Sequence, residues 1–278
     1  MPNFLHNAHD TFNSDFSSSV YKSNSLSSFS QHFHKNFEII FVTQGNCVCT
    51  LNNQQYTLSK GQAIFICPFQ IHNFSLGTDS EIRRITFHQH LILTVSQTLN
   101  GRVPKNPVFC ISKELLDLTL QKIHTFWGNE NVSLSRIAPY ERRIYIKGLL
   151  YMICGEFLDQ AVLTEITHSN KIAIDVVQYI SENFQKNISL SEIAKEKGYN
   201  PQYISRTFNT TMGLSFKKIL NQFRLEHAYA MLQDTDMPIS YICFESGFQS
   251  IRSFNQECKD TFGKTPKELR ISRTWIKS

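Results

Sequence analysis

The sequence predicts an α+β protein of two main parts, a β-barrel in the N-terminal half and an all-helical domain in the C-terminal half. Short β-prone runs recur about every eight to ten residues between residues 37 and 87, a spacing typical of a small antiparallel barrel. After a loop at residues 101–107, hydrophobic residues recur with the period of amphipathic helices. From residue 171 onward helix follows helix, and one local outline repeats about fifty residues later.

Six runs make up the predicted barrel, and turn residues such as Gly45 and Gly61 separate them. The runs are FEIIFVTQG (37–45), CVCTL (47–51), QQYTL (54–58), AIFICP (63–68), IHNFSL (71–76) and IRRITF (82–87). The serine-rich segment before them offers little that could fill a core, so we expect it to be an arm or at most an edge strand. We therefore divide the chain into an arm (1–30), a barrel with a helical dimerisation segment (31–160), a linker (161–170) and a helical domain (171–278).

Two apolar stripes occur in the helical segment that follows the barrel. The first consists of Leu116, Leu120, Ile123 and Trp127, and the second of Ile146, Leu149, Leu150, Ile153 and Phe157. Stripes at this spacing belong to amphipathic helices. They either cap the barrel or form a subunit interface, and the pattern alone leaves both open. We expect the protein to be a homodimer.

The composition excludes several classes of protein. A net charge of +5 on 278 residues rules out a polybasic, histone-like chain, and residues 171–278 hold 15 basic and 11 acidic side chains. We find no signal-peptide pattern and no apolar run of about 18 residues that could cross a membrane, so we expect a cytoplasmic protein with no membrane partner. Seven cysteines without paired spacing predict reduced thiols instead of disulfides or a zinc site.

The C-terminal half contains two predicted helix-turn-helix outlines. Ser189 and Glu192 form a capping box, and Gly198 suits the end of that helix. Asn200 then caps the next helix, with Pro201 at its first position. The same outline returns with helix starts at Pro238 and Ser250 and a helix end at Gly247. Two such units in one chain indicate a DNA-reading domain.

Residues 188–270 resemble the DNA-binding domain of the AraC/XylS family of bacterial transcription regulators. The resemblance rests on IAKEKGYNPQYISRTFNTTMG and on PISYICFESGFQSIRSFNQECKDTFGKTPKELR, above all on its GFQS and FGKTP segments. Cys243 and Cys258 replace the alanine and phenylalanine that are usual in the family. The resemblance implies a regulator that is not an enzyme, binds double-stranded promoter DNA and acts on RNA polymerase.

The second helix of each unit is expected to present polar side chains to the major groove. Ile204 and Phe208 on one helix, and Phe254 and Cys258 on the other, are spaced to face the core. Arginine suits guanine, asparagine and glutamine suit adenine, and an apolar side chain can meet the thymine methyl group. The predicted DNA-binding residues are therefore Gln202, Ser205, Arg206, Asn209, Ile251, Arg252, Asn255 and Gln256.

A second motif lies at the start of the barrel. His32, His34, Glu38 and Gly45 follow the pattern H-x-H-x3-E-x6-G, which resembles the first motif of the cupin superfamily, and His72 ends a shortened form of the second. In metal-binding cupins such residues hold a divalent transition metal. In regulators with this domain order they line a pocket for an organic effector, and they can also be purely structural. We assign them to effector contact and expect no metal or cofactor.

Aromatic side chains extend this predicted pocket. Phenylalanine is abundant, with 22 residues, and Phe37, Phe41, Phe65 and Phe74 fall on barrel strands. Aromatic pocket walls favour an apolar or stacking ligand such as a sugar. The predicted effector-binding residues are therefore His32, His34, Glu38, His72, Phe41 and Phe65.

The sequence thus predicts a DNA-binding regulator that is controlled by a small molecule in its N-terminal barrel. Two other functions stay open. One is a metal-dependent cupin enzyme fused to a DNA-binding domain, and the other is a constitutive regulator whose barrel only dimerises.

Overall fold

Antiparallel strands build the N-terminal part of the computed structural model, which describes residues 15–23, 29, 31–127, 132–134 and 140–272. The strands are β1 (Phe16–Lys22), β2 (Phe37–Gln44), β3 (Asn46–Leu51), β4 (Gln54–Ser59), β5 (Gln62–Ile66), β6 (His72–Leu76), β7 (Glu81–Phe87), β8 (Arg102–Pro104), β9 (Val108–Cys110), β10 (Val132–Leu134) and β11 (Leu163–Glu165). The chain divides into two compact units, with the boundary between Ile166 and Thr167.

The strands form a six-stranded sheet in the order β10-β1-β7-β2-β5-β9, a three-stranded sheet in the order β4-β3-β6, and the pair β11-β8. Side chains alternate between the two faces of a strand. Ile40 and Val42 on β2 join a core that includes residues of the three-stranded sheet, whereas Ile39 and Phe41 join a core that includes helical residues. The predicted α+β fold, with a strand-rich N-terminal part and a helical C-terminal part, is confirmed.

The predicted arm is wrong for residues 16–22. β1 is an inner strand that pairs with β7 along its whole length and with β10 on its other side. Its three serines are buried, and neighbouring strands supply polar partners for two of them: Ser17 contacts the Thr86 hydroxyl, and Arg83 donates to the Ser18 hydroxyl at 3.1 Å. Serine carries no hydrophobic signal, which hid the strand from the sequence pattern. The rest of the predicted arm, apart from residues 15, 23 and 29, lies outside the described residues.

Three helices and a short 3₁₀ turn (Gln89–Ile92) accompany the sheets: α1 (Leu93–Thr98), α2 (Lys113–Trp127) and α3 (Tyr140–Gln160). The predicted stripe on α3 packs inside its own unit, where Ile146, Leu150 and Ile153 are almost fully buried in the helix-side core. Ile123 of the first stripe lies in the same core, and the Trp127 side chain is outside the described ones. The described residues of these stripes therefore pack within the N-terminal unit, as expected for helices that cap its sheets.

The segment predicted as a linker, 161–170, contains regular structure. Leu163–Glu165 forms β11, which pairs with β8, and the first helix of the C-terminal unit begins at His168. A strand of three residues is too short to show alternation in the sequence. Thr167 caps the helix by accepting a hydrogen bond from the Asn170 amide, so the helix begins inside the segment.

The C-terminal unit consists of α4 (His168–Asn183), α5 (Leu190–Lys197), α6 (Pro201–Met212), α7 (Phe216–Asp234), α8 (Ile239–Glu245), α9 (Ile251–Phe262) and α10 (Pro266–Ser272). The Ser189–Glu192 capping box is complete, and the Asn200 side chain accepts from the Gln202 and Tyr203 amides. Gly198 ends α5 in a left-handed conformation with φ of 72°. In the second outline, α8 follows Pro238, and the Ser250 side chain caps α9 by accepting a hydrogen bond from the Ser253 amide.

Neither a membrane-spanning helix nor a disulfide occurs among the described residues. Among the described residues, no helix is both long and apolar enough to span a bilayer. The seven cysteines are free thiols, and all except the exposed Cys110 are buried.

Candidate functional sites

The helices α6 and α9 present the same surface pattern to solvent. Ten successive positions, 201–210 on α6 and 251–260 on α9, follow one identical order of exposed, half-buried and buried residues. Ile204 and Phe208 are fully buried on α6, and Phe254 and Cys258 take their places on α9. The repeat in the sequence therefore extends to the burial pattern of the two helices.

The predicted DNA-binding residues lie on these exposed faces. Six of them are exposed and two, Ser205 and Asn255, are half-buried. The exposed six are Gln202, Arg206, Asn209, Ile251, Arg252 and Gln256. Gln202 is equivalent to Arg252, and Arg206 is equivalent to Gln256. The two helices therefore carry arginine and glutamine in opposite order. Each face thus offers one arginine and one glutamine at i and i+4.

Two further side chains on these faces were missed in the sequence. Tyr203 is 47% exposed on α6 between the predicted contacts. Asp260 accepts a hydrogen bond from the Gln256 amide at 2.8 Å, which holds that glutamine on the surface of α9. A glutamine–aspartate pair at i and i+4 is readable from spacing.

The long helix α7 connects the two helix-turn-helix motifs. It contacts α4 on one side and α8, α9 and α10 on the other. Its Arg224 is buried and donates to the carbonyl oxygens of Phe184 at 2.8 Å and Lys186 at 3.0 Å, so it ties the end of α4 to α7. Burial lowers the pKa of this guanidinium below its usual value. The spacing between α6 and α9 is therefore set by packed helices.

In the N-terminal unit, four predicted residues come together as a buried histidine–glutamate cluster, formed by His32, His34, Glu38 and His72. One possible ligand atom from each lies within 4.8 Å of the others. Glu38 stands at the start of β2, and His72 at the start of β6. Two backbone hydrogen bonds of 2.8 and 2.9 Å join residues 32 and 72, which explains why motifs forty residues apart converge.

Both ring nitrogens of His34 face oxygen atoms. Its Nδ1 lies 3.0 Å from the Asn36 carbonyl oxygen and its Nε2 lies 3.0 Å from Glu38 Oε2. His72 repeats this arrangement, with Nδ1 at 2.9 Å from the Gln70 carbonyl oxygen and Nε2 at 3.4 Å from Glu38 Oε1. Because a carbonyl oxygen only accepts, each Nδ1 carries a proton. The Nε2 atoms of both rings are directed at the carboxylate.

The burial of the cluster shapes its charges. Burial lowers the pKa of His34 below its usual value, because the loss of hydration outweighs the opposite effect of the contact with Glu38. Burial raises the pKa of Glu38, but His72, the contact from His34 and the nearby Arg84 outweigh it, so this pKa lies well below its usual range. Glu38 is therefore an ionised carboxylate. Arg84 is fully buried 3.9 Å from Glu38, and the sequence pattern did not single it out.

Phe41 and Phe65 do not belong to this site, and their assignment to it is corrected here. Both lie in the helix-side core, as does Phe37, whereas Glu38 points to the opposite face of the same sheet. The reason is the alternation of β2, in which residues 38 and 41 have opposite parity. Phe74 shares the face of His72 on β6 and packs against Phe29, with the ring centroids 3.9 Å apart and the rings tilted by 30°.

A strand-rich N-terminal unit followed by a helical unit with two helix-turn-helix motifs is the architecture of a two-domain transcription regulator. Two family models match the chain, the AraC-like ligand binding domain over residues 20–126 and a helix-turn-helix domain over residues 193–272. The protein belongs to the AraC family of transcriptional regulators.

Curated relatives agree with this membership. An HTH-type transcriptional regulator of Staphylococcus aureus strain MSSA476 is 31% identical over 253 residues, which cover 85% of this chain. This chain spans 31% of the length of that relative, about a third. The HTH-type transcriptional activator RhaS of Escherichia fergusonii is 25% identical over 259 residues, which cover 88% of each chain.

Solved structures share the fold. ToxT from Vibrio cholerae matches with a TM-score of 0.58 over 92% of this chain and 98% of its own, at 14% sequence identity. A ToxT structure with a bound unsaturated fatty acid matches with a TM-score of 0.53 at 16% identity. At these identities the likeness shows a common architecture.

Proposed function

We propose that this protein regulates transcription by binding double-stranded promoter DNA through α6 and α9, under the control of a small-molecule effector held in its N-terminal barrel. The observation that carries the DNA-binding part is the identical exposure pattern of the two helices. A recognition helix needs a buried side that holds it in place and a polar side that reaches base edges. Both helices have these two sides.

Base contacts would come from the predicted DNA-binding residues. Arg206 and Arg252 are placed to donate to guanine, and Gln202 and Gln256 to bind adenine. Exposed lysines near the two helices would neutralise phosphates and strengthen binding on any sequence. These are Lys217, Lys218, Lys259, Lys264 and Lys267.

Effector contact is proposed for the histidine–glutamate cluster. A few polar groups that converge among apolar residues are typical of a ligand site. The ToxT structure with its fatty acid supports a small molecule as the ligand of this fold. Because Phe41 and Phe65 face the helices, the aromatic argument for a sugar now rests on Phe74 and its neighbours. The effector would act by binding one conformation better than another.

A homodimer through the outer face of α3 is part of the same proposal. Ile144, Tyr151 and Met152 are 53%, 40% and 45% exposed on that face, although they are apolar. Gly148 and Gly155 fall on the same face, and a side chain added at either would meet nothing within 4 Å. Contiguous exposed apolar surface marks interaction sites. A second α3 could therefore pack closely here.

Replacing Tyr151 by glutamate is expected to shift the protein from dimer to monomer, because the carboxylate would be buried unpaired in the interface. Sedimentation velocity at micromolar concentrations measures the change. The control is Val162→Glu, which places the same charge at a 66% exposed apolar residue outside α3. If Tyr151→Glu sediments like the wild-type dimer, the two chains do not meet at this face.

The DNA-binding function is tested by selection from a random pool of double-stranded DNA, followed by titration of the selected sequence and a scrambled copy. We expect a preference of at least about 10³-fold at physiological salt. Equal affinity for the two DNAs would refute sequence-specific regulation. A promoter-bound dimer would then act on RNA polymerase.

A constitutive regulator with a purely dimerising barrel is the remaining alternative. It predicts that no ligand raises the melting temperature of the protein in a metabolite panel, whereas an effector that binds only the folded state raises it.

A further inference from the structure

We propose that Asn221 on α7 is a positioning residue for DNA recognition, because its hydrogen bond to Glu257 fixes the direction in which α9 presents its polar face. That face carries Arg252 and Gln256. The positioning role rests on the proposed function, since it has meaning only if α9 reads DNA. Neither Asn221 nor Glu257 is assigned a contact with the DNA itself.

Asn221 is the polar member of an otherwise apolar stripe on α7. Leu225, Ala228 and Leu232 continue the stripe at helical spacing, and all three lie in one buried cluster with residues of α9. Asn221 is itself only 7% exposed. Because a buried amide costs free energy unless it is hydrogen-bonded, an asparagine at this place needs a partner.

The partner is Glu257 on α9. The Nδ2 atom of Asn221 donates to Glu257 Oε1 at 2.6 Å. Glu257 is half-buried and stands between the exposed Gln256 and the buried Cys258. Hydrogen bonds to a carboxylate are stronger than those between neutral groups, and they weaken steeply when the angle is wrong, whereas apolar contacts have no direction. The bond therefore restrains the rotation of α9 about its own axis.

The two motifs anchor their recognition helices to α7 in different ways. On α6, Phe208 packs edge-to-face against Phe216, the first residue of α7, with the ring centroids 6.4 Å apart. On α9, the equivalent of Phe208 is Cys258, whose side chain is much smaller. Cys258 cannot make such a ring contact, and the neighbouring Glu257 supplies a directional contact to α7 in its place.

Both anchors lie close together on α7. Phe216 and Asn221 are separated by about 7.5 Å along the helix axis, at a rise of about 1.5 Å per residue. The angle between the polar faces of α6 and α9 therefore depends on these two contacts with one short stretch of helix. A hydrogen bond to a base edge is good only over about 2.7–3.2 Å, so a small rotation of α9 is enough to weaken the contacts of Arg252.

The test compares three DNAs with the full-length chain: the selected sequence, and two copies in which one or the other recognised segment is scrambled. The segment read by α9 is the one whose scrambling no longer matters to Arg252→Ala. The ratio of the affinities for the selected DNA and for each copy measures the reading by each helix separately, and changes in nonspecific affinity cancel in it.

Asn221→Asp sets two carboxylates against each other. It is expected to lower the preference for the α9 segment by at least about fivefold, the effect of losing one weak bidentate base contact, and to leave the preference for the α6 segment unchanged. Asn221→Ala removes the donor without adding a charge and should act in the same direction. The double variant Asn221→Asp/Glu257→Gln reverses the bond, with the new glutamine donating to the new aspartate, and should recover the preference.

Gln222→Glu is the matched control. Gln222 donates to Glu226 Oε1 at 3.1 Å, so this variant also sets two carboxylates against each other, but within α7 alone. It should read both segments like the wild type. Circular dichroism and melting temperatures show whether each variant is folded. If Asn221→Asp does not fold, Asn221→Ala and the double variant decide the outcome.

The inference is overturned if the folded Asn221 variants prefer the α9 segment as strongly as the wild type, if they lose the preference for both segments equally, or if the double variant recovers nothing. Each of these results leaves the proposed function intact, because the wild type still prefers the selected DNA. A wild type without that preference refutes the proposed function before any variant is compared.

Discussion

Replacing Arg206 and Arg252 together by alanine is expected to remove most of the sequence-specific DNA affinity. Each arginine is exposed on its own recognition helix. On both helices a glutamine lies four residues away on the same face. One bidentate arginine–guanine contact contributes about 1–3 kcal/mol. The two residues lie on different helices and share no partner, so their effects should add to about 2–6 kcal/mol.

The measurement is a competition titration of the selected DNA against its scrambled copy for the wild type, both single variants and the double variant. Lys171→Ala is the control, since it removes a positive charge from an exposed position on α4. It should change both affinities slightly and equally. Equal losses on the two DNAs for the arginine variants would mean that these side chains touch only phosphate.

Replacing Gly247 by alanine is expected to destabilise the C-terminal unit strongly. Gly247 has φ of +86°, and a β-carbon there would lie 2.6 Å from the Phe184 carbonyl oxygen and 2.8 Å from the Gln185 α-carbon. Backbone atoms cannot turn aside as a side chain can. Left-handed strain of about 1–2 kcal/mol adds to an overpacking cost of about 1–3 kcal/mol.

Gly198→Ala is the matched control for this effect. Gly198 has φ of +72°, but a β-carbon there would meet nothing within 4 Å, so it isolates the strain of about 1–2 kcal/mol. Urea unfolding of both variants, followed by circular dichroism, compares the losses. If the two glycines cost the same free energy of unfolding, the close approach of Gly247 to the end of α4 has no energetic consequence.

Local signals explain why the sequence predicts so much of this fold. The six predicted barrel runs match β2 to β7 to within two residues at each end, because each run is rich in β-prone residues and is bounded by turn residues. Caps such as Ser189, Asn200 and Ser250 act within one helical turn, so their effect is readable without tertiary contacts. The outward faces of α6 and α9 follow from buried pairs at i and i+4.

Other features depend on packing between distant segments. β1 contains three serines that become buried only because β7 and β10 flank it. Phe41 and Phe65 are aromatic residues in the right strands but on the wrong face for the cluster, a distinction that strand parity alone could have drawn. The buried Arg84 beside Glu38 carries no sequence signal, since a charged residue in a strand normally faces water.

One chain is expected to read two segments of DNA with α6 and α9, and methylation interference on the selected DNA distinguishes the two segments. For each bound chain we expect two groups of major-groove guanines whose methylation blocks binding, about 10 base pairs apart on one face of the duplex. Arg206→Ala should relieve interference in one group and Arg252→Ala in the other. A single group of guanines that responds to both variants would refute the two-segment reading.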